Sequence, residues 1–169
     1  MIRTVLDKLY LWSGYVAAVF LAGIGVAIIA QVVGRFFGVS IDGTEIAGFC
    51  LATTSFFALA HTFKSGSHIR VNLLIRRFTG KSGRLVELWC CGVSAVIVGY
   101  VAYHAVLLSI QSYDFNDVSP GLAAMPFWIP QAGMAAGLIL LTVALVDELI
   151  SVAGNNEPSY EAAKDTALD

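Results

Sequence analysis

Four stretches of the chain carry no Asp, Glu, Lys or Arg: Leu9–Gly34, Ile46–Phe63, Leu88–Tyr113 and Val118–Val146. An α-helix needs about 20 apolar residues to cross a hydrocarbon core about 30 Å thick. Three of the stretches exceed that length and the second just reaches it. A membrane β-barrel would instead alternate apolar and polar residues in segments of about ten, and no such alternation occurs. The pattern predicts an all-α integral membrane protein with four transmembrane helices, spanning about 9–34, 45–63, 86–112 and 126–149. Residues 1–150 form one membrane domain on this reading, and the polar, acidic residues 151–169 form a mobile cytoplasmic tail.

Composition agrees: 57% of the 169 residues are hydrophobic and 13% are charged, about half the charged share of an average soluble domain. Arg3 and Lys8 before the first stretch resemble the basic start of a signal peptide. The run that follows is too long and ends in "QVVGRFF" without a small-residue cleavage site, so the first stretch is expected to remain a span.

Charge is informative through its placement. Six of the ten Lys and Arg residues fall between positions 64 and 84: Lys64, Arg70, Arg76, Arg77, Lys81 and Arg84. The connection between spans 1 and 2 holds Arg35 beside Asp42 and Glu45, and that between spans 3 and 4 holds only Asp114 and Asp117. Basic residues accumulate in short cytoplasmic loops, which predicts both termini on the cytoplasmic side. Tyr10, Trp12, Tyr15, Trp89, Phe127 and Trp128 are read as rings marking the headgroup layers. Pro126 and Pro130 are read as lying in the first turn of span 4.

Within the basic segment, Val71, Leu74, Ile75 and Phe78 follow the spacing of one helical face, with Ser67 available as N-cap. A short amphipathic helix over about 67–79 is expected, lying in the interface with its bases near anionic headgroups. The alternative is a plain connecting loop packed on the bundle.

Chemistry is sparse. No Gly-rich phosphate loop, metal-ligand spacing or nucleophile elbow occurs, so no catalytic, substrate-binding or metal-ligating residue is assigned and no enzyme is expected. A haem- or quinone-binding respiratory anchor is the alternative reading. It suffers from His61 and His104 lying about 30 Å apart across the membrane at 1.5 Å per residue, with His68 in the interfacial segment. His104 is read as hydrogen-bonded inside the bundle or near the periplasmic boundary. Cys50, Cys90 and Cys91 are read as small buried residues, and Thr53, Thr54, Ser55, Ser94 and Thr142 as bonding locally. Small residues recur every four positions at Gly14/Ala18/Ala22, Ala95/Gly99 and Gly133/Gly137, a spacing that lets helices approach closely. Asp42 and Glu45 fit a capping box opening span 2. Glu45 either pairs with Arg35 at the same membrane face or caps its helix while Arg35 snorkels to water.

Arg35 closing span 1, Glu45 opening span 2, a basic residue (Lys64) followed by "HIRVNLLIRRF", and "MPFWIPQAG" opening span 4 together resemble the small permease subunit of tripartite ATP-independent periplasmic (TRAP) transporters, the DctQ-like family. The similarity runs from about Gln31 to Val146. His68, Ile69, Val71 and Asn72 match its most specific stretch, with Asn72 where the family usually has Asp. The resemblance implies a non-catalytic subunit in a bacterial inner membrane, widening the static scaffold of a large elevator-type permease that itself holds sodium and substrate. It also implies a periplasmic binding protein delivering an organic acid such as a C4-dicarboxylate or a sialic acid. No cofactor is implied for this chain.

Overall fold

The computed structural model describes residues 2–64, 81–121 and 124–154, and its architecture is four α-helices. These are α1 (Ile2–Phe36), α2 (Gly43–Lys64), α3 (Lys81–Asp114) and α4 (Trp128–Ala153), each long and apolar enough to cross a membrane. The segment expected as an interfacial helix, with His68, Ile69, Arg70, Val71, Asn72, Arg76 and Arg77, lies outside the described residues, as does the tail from 155 onward. Lys64 ends α2, and Lys81 and Arg84 fall in the first turn of α3.

Continuous helices are what a chain in lipid must form, because every backbone N–H and C=O needs an internal partner there. They stop where the sequence changes character. α1 closes with Val39 N–H donating to Gly34 O at 2.9 Å and Gly38 N–H to Arg35 O at 3.2 Å. This is a Schellman arrangement with Gly38 at φ +71°, a conformation that glycine adopts without a Cβ clash. α4 starts later than the prolines suggest: Pro126 pairs with Val118 in a bridge ahead of the helix, and only Pro130 falls in its first turn.

The packing order is α1–α2–α4–α3. α1 runs antiparallel to α2, α2 parallel to α4, and α4 antiparallel to α3. The α1–α2 turn and the α3–α4 loop therefore share one end, here the loop end, and the first residues of α1 lie with the last of α4 at the other. α4 is the hub: half of its most apolar stretch is buried, against 11% for α1 and for α3.

Lipid tails are as apolar as leucine, so helices in a bilayer associate through close van der Waals fit rather than hydrophobic burial. The seams accordingly run through small residues. On α3, Cys91, Ala95, Val98, Ala102, Ala105, Ser109 and Ser112 are buried or half-buried at alternating spacings of four and three. That 3.5-residue repeat keeps one face against a gently supercoiled neighbour. It meets Ala135, Leu138, Leu141 and Leu145 of α4. A close contact also joins α4 to α2. A Cβ on Gly137 would lie 2.5 Å from the Phe56 carbonyl carbon, and one on Gly133 would lie 2.8 Å from Thr53 Oγ1.

Of the small-residue spacings in the sequence, Gly133/Gly137 thus forms a true crossing. Ala18 and Ala22 do not: both are exposed, and α1 packs instead through Tyr10, Ser13, Ala17 and Ala27. Tyr10 is a second correction. It is 2% exposed and sits against Ala60 and Ala144, whereas Trp12 and Tyr15, within the next two turns, project outward. α1 begins at Ile2, two turns earlier than the charge-free run, which draws Tyr10 into the bundle.

Candidate functional site

The loop end brings together Arg35, Asp42 and Glu45, whereas Lys64, Lys81 and Arg84 fall at the opposite end of the helices. The turn after α1 places Asp42 at the start of α2, where its Oδ1 accepts from Glu45 N–H at 3.2 Å. This is the first half of the expected capping box. The return bond is missing, because the Glu45 side chain is directed elsewhere. Gly43 makes the turn possible: a Cβ there would collide with the Ala27 carbonyl and come within 2.7 Å of Gln31 Cβ. Thr44 Oγ1 donates to Gln31 Oε1 at 3.3 Å, tying α2 to α1. Replacing Asp42 with alanine is expected to lower stability by about 1 kcal/mol, while Asp42→Asn retains it. Unfolding of the purified chain in mixed micelles checks this.

The α3–α4 loop folds over that turn. Asp117 N–H donates to Ser112 O at 3.0 Å and Phe127 N–H to Asp117 O at 3.0 Å. Ser119 N–H donates to Met125 O at 2.9 Å, closing a small hairpin. Its tip sets Gly121 directly on the Glu45 carboxylate. A Cβ on Gly121 would collide with Glu45 Oε2 and lie 3.0 Å from Asp42 Oδ2. Two acidic side chains thus converge on one glycine, and Phe49 and Phe127 pack ring to ring at 6.1 Å one turn below Glu45.

Both carboxylate oxygens of Glu45 are buried, and neither has a hydrogen-bond partner among the described residues. Arg35 is exposed and forms no ion pair with it. Of the two readings of this pair, the structure gives a solvent-directed Arg35. It also gives a Glu45 carboxylate that caps nothing. Gln131 Oε1, near the start of α4, is likewise buried without a partner among the described residues. Sequence inspection misses both environments, since the loop that covers Glu45 lies some seventy positions away in the chain.

The hydroxyls behave as expected in lipid. Thr53, Ser55 and Thr142 donate to the carbonyls of Phe49, Leu51 and Leu138 on their own helices, and Thr54 donates to Ala17 O across the α1–α2 seam. The histidines are not brought together. His61 packs its ring on Gly14 with Nδ1 3.2 Å from Tyr10 O, inside the α1–α2 seam. His104 is exposed on α3, which excludes the first of its two expected places, inside the bundle. Among the described residues no cluster of three His, Cys, Asp or Glu could hold a metal. The three cysteines are free thiols. One buried acid escaped the charge pattern. Glu148 is 3% exposed within the last two turns of α4 and is engaged with neighbours.

These features define a multi-pass membrane protein with four unbroken spans, small-residue seams, and acidic side chains folded under a loop at one end. Residues 24–154 match the family described as tripartite ATP-independent periplasmic transporters, DctQ component. The chain belongs to that family and is a small permease component of a TRAP transporter. No curated protein and no solved structure matches it.

Proposed function

We propose that this chain is a non-catalytic scaffold subunit of a sodium-coupled TRAP transporter that takes up an organic acid, such as a C4-dicarboxylate or a sialic acid, across a bacterial inner membrane. Its partners on this reading are a large elevator-type permease, which holds the sodium and substrate sites, and a periplasmic substrate-binding protein. Both termini face the cytoplasm. The basic residues Lys64, Arg70, Arg76, Arg77, Lys81 and Arg84 meet anionic headgroups at that surface, and the stretch bearing His68, Ile69, Val71 and Asn72 belongs to it. The loop end, with Arg35 and Glu45, faces the periplasm and helps dock the binding protein.

The observation that carries the scaffold reading is the continuity of the four spans. Solute and coupling-ion sites in transporters are typically built from broken helices and ionisable groups at the bilayer midplane. Here the helices run unbroken, and α2 and α4 are held in close contact by Gly137 against the Phe56 backbone and Gly133 against the Thr53 side chain. A bundle locked in this way suits a static support.

Proteoliposome uptake tests the proposal. With the large permease, the binding protein and a sodium gradient present, omission of this chain is expected to reduce uptake to background. This chain alone is expected to transport nothing. Uptake by the chain alone, or undiminished uptake without it, would overturn the reading.

A further inference from the structure

A polar aromatic cluster lies on the outer face of α3, at a depth where neither water nor headgroups reach. The His104 ring packs against Tyr100 at 4.4 Å and edge-on against Tyr103 at 5.4 Å. Both tyrosines point outward, 66% and 61% exposed, and His104 is exposed as well. None of the three hydrogen-bonds to another described residue.

Their depth follows from the helix. His104 lies ten residues before Asp114 and sixteen after Leu88, the limits of the apolar span. At 1.5 Å per residue these are about 15 Å and about 24 Å. A hydrocarbon core about 30 Å thick, centred on this span, encloses His104 fully. Ring belts at the headgroups do not explain the cluster. At the loop end that role falls to Tyr113 and Trp128, which meet edge-to-face at 5.8 Å. Tyr100 sits more than three turns deeper than Tyr113. An imidazole and two phenols turned toward acyl chains would leave their polar atoms unsatisfied in a medium that offers no partner.

The surface beside them is shaped for protein. Tyr103 lines a groove of about 320 Å³ between α3 and α4, floored by Gly99 and Ala102 and walled by Ile139 and Val143. Ile139, Val143, Val146 and Ile150 continue along α4 at spacings of four, three and four, all exposed. Small residues beside a 3.5-residue row of branched side chains are what an incoming helix needs for close approach.

We infer that the Tyr100–Tyr103–His104 face of α3, with the adjoining α3–α4 groove, is the seat of a transmembrane helix of the large permease subunit. That helix presents hydrogen-bond acceptors at the depth of His104. This rests on the scaffold reading above and identifies the side of the bundle it uses. Two phenols and an imidazole share one exposed patch of α3, so the complementary surface is rich in carboxylate, amide or carbonyl oxygen.

The test uses this chain co-expressed with its large permease subunit. A photo-crosslinking amino acid at position 103 is expected to capture the large subunit. The variant Tyr100→Phe/Tyr103→Phe/His104→Leu keeps the rings or their bulk and deletes the polar atoms. It is expected to reduce co-purified large subunit about tenfold or more, as three interhelical hydrogen bonds would. The unfolding midpoint of the isolated chain should stay unchanged. Undiminished co-purification, crosslinks confined to lipid or to a second copy, or a midpoint that falls with the yield would each overturn the inference. If the unsubstituted chain retains no large subunit, the scaffold reading fails and takes this inference with it. Retention that ignores the variant overturns the docking face alone.

Discussion

Gly137→Leu is expected to unlatch α2 from α4 and to be among the most damaging single substitutions in the membrane domain. The first added atom would meet the Phe56 carbonyl carbon at 2.5 Å, its Cβ at 2.7 Å and its oxygen at 2.7 Å. Two of these are backbone atoms and cannot swing aside as a flexible side chain would. The helices must separate, and separation opens every contact along the seam. Overpacking costs about 1–3 kcal/mol in ordinary cores. A leucine against backbone at this distance should reach the upper end, about 3 kcal/mol. Denaturant titration in mixed micelles measures it, with Gly92→Ala as the control. Beyond its own helix backbone, Gly92 has no described atom within 4 Å of where its Cβ would lie, and alanine there should gain slightly through helix propensity. Equal midpoints for Gly137→Leu and the unsubstituted chain would refute the close crossing.

The second large effect has the opposite sign. Glu45→Gln is expected to stabilise the isolated chain. The carboxylate is buried without a hydrogen-bond partner among the described residues, and a second acid, Asp42, converges on the same glycine. An unsatisfied buried polar group costs about 1–3 kcal/mol, and more when charged. The position near the α2 N-terminus returns about 0.3–1 kcal/mol through the helix dipole. The burial cost is the larger, so a neutral amide of the same shape should raise stability by about 1–2 kcal/mol. A residue held at such a cost is commonly held for function. Uptake by the assembled transporter is therefore expected to fall in the same variant, through weaker use of the binding protein. A less stable Glu45→Gln chain would show that the anion has a partner within the subunit. Higher stability with full uptake would show that Glu45 has no part in docking.

The two substitutions mark how far the sequence could be read. The Gly133/Gly137 spacing was visible, but so was Gly14/Ala18/Ala22, and only the first forms a crossing along its length. Both lie on helices that are apolar all round, where no moment distinguishes a packed face from a lipid-facing one. Tyr10 and Trp12 show the same limit: neighbours in sequence, one buried in the bundle and the other turned outward. The Asp42 cap was legible because capping is local chemistry within four residues. Glu45's burial was not, because Gly121 reaches it through a loop whose path depends on how α3 and α4 pack.

By itself the sequence determined the number of spans, their rough limits and the family. A bilayer penalises any unpaired polar backbone and nearly any exposed charge, which writes the spans into the chain as uninterrupted apolarity. Only the tertiary structure decided the order α1–α2–α4–α3, the acid folded beneath the loop, and the outward turn of His104. Those are properties of pairs of surfaces: in lipid, helices choose neighbours by close fit between small residues, and fit is not encoded in the polarity of either helix alone.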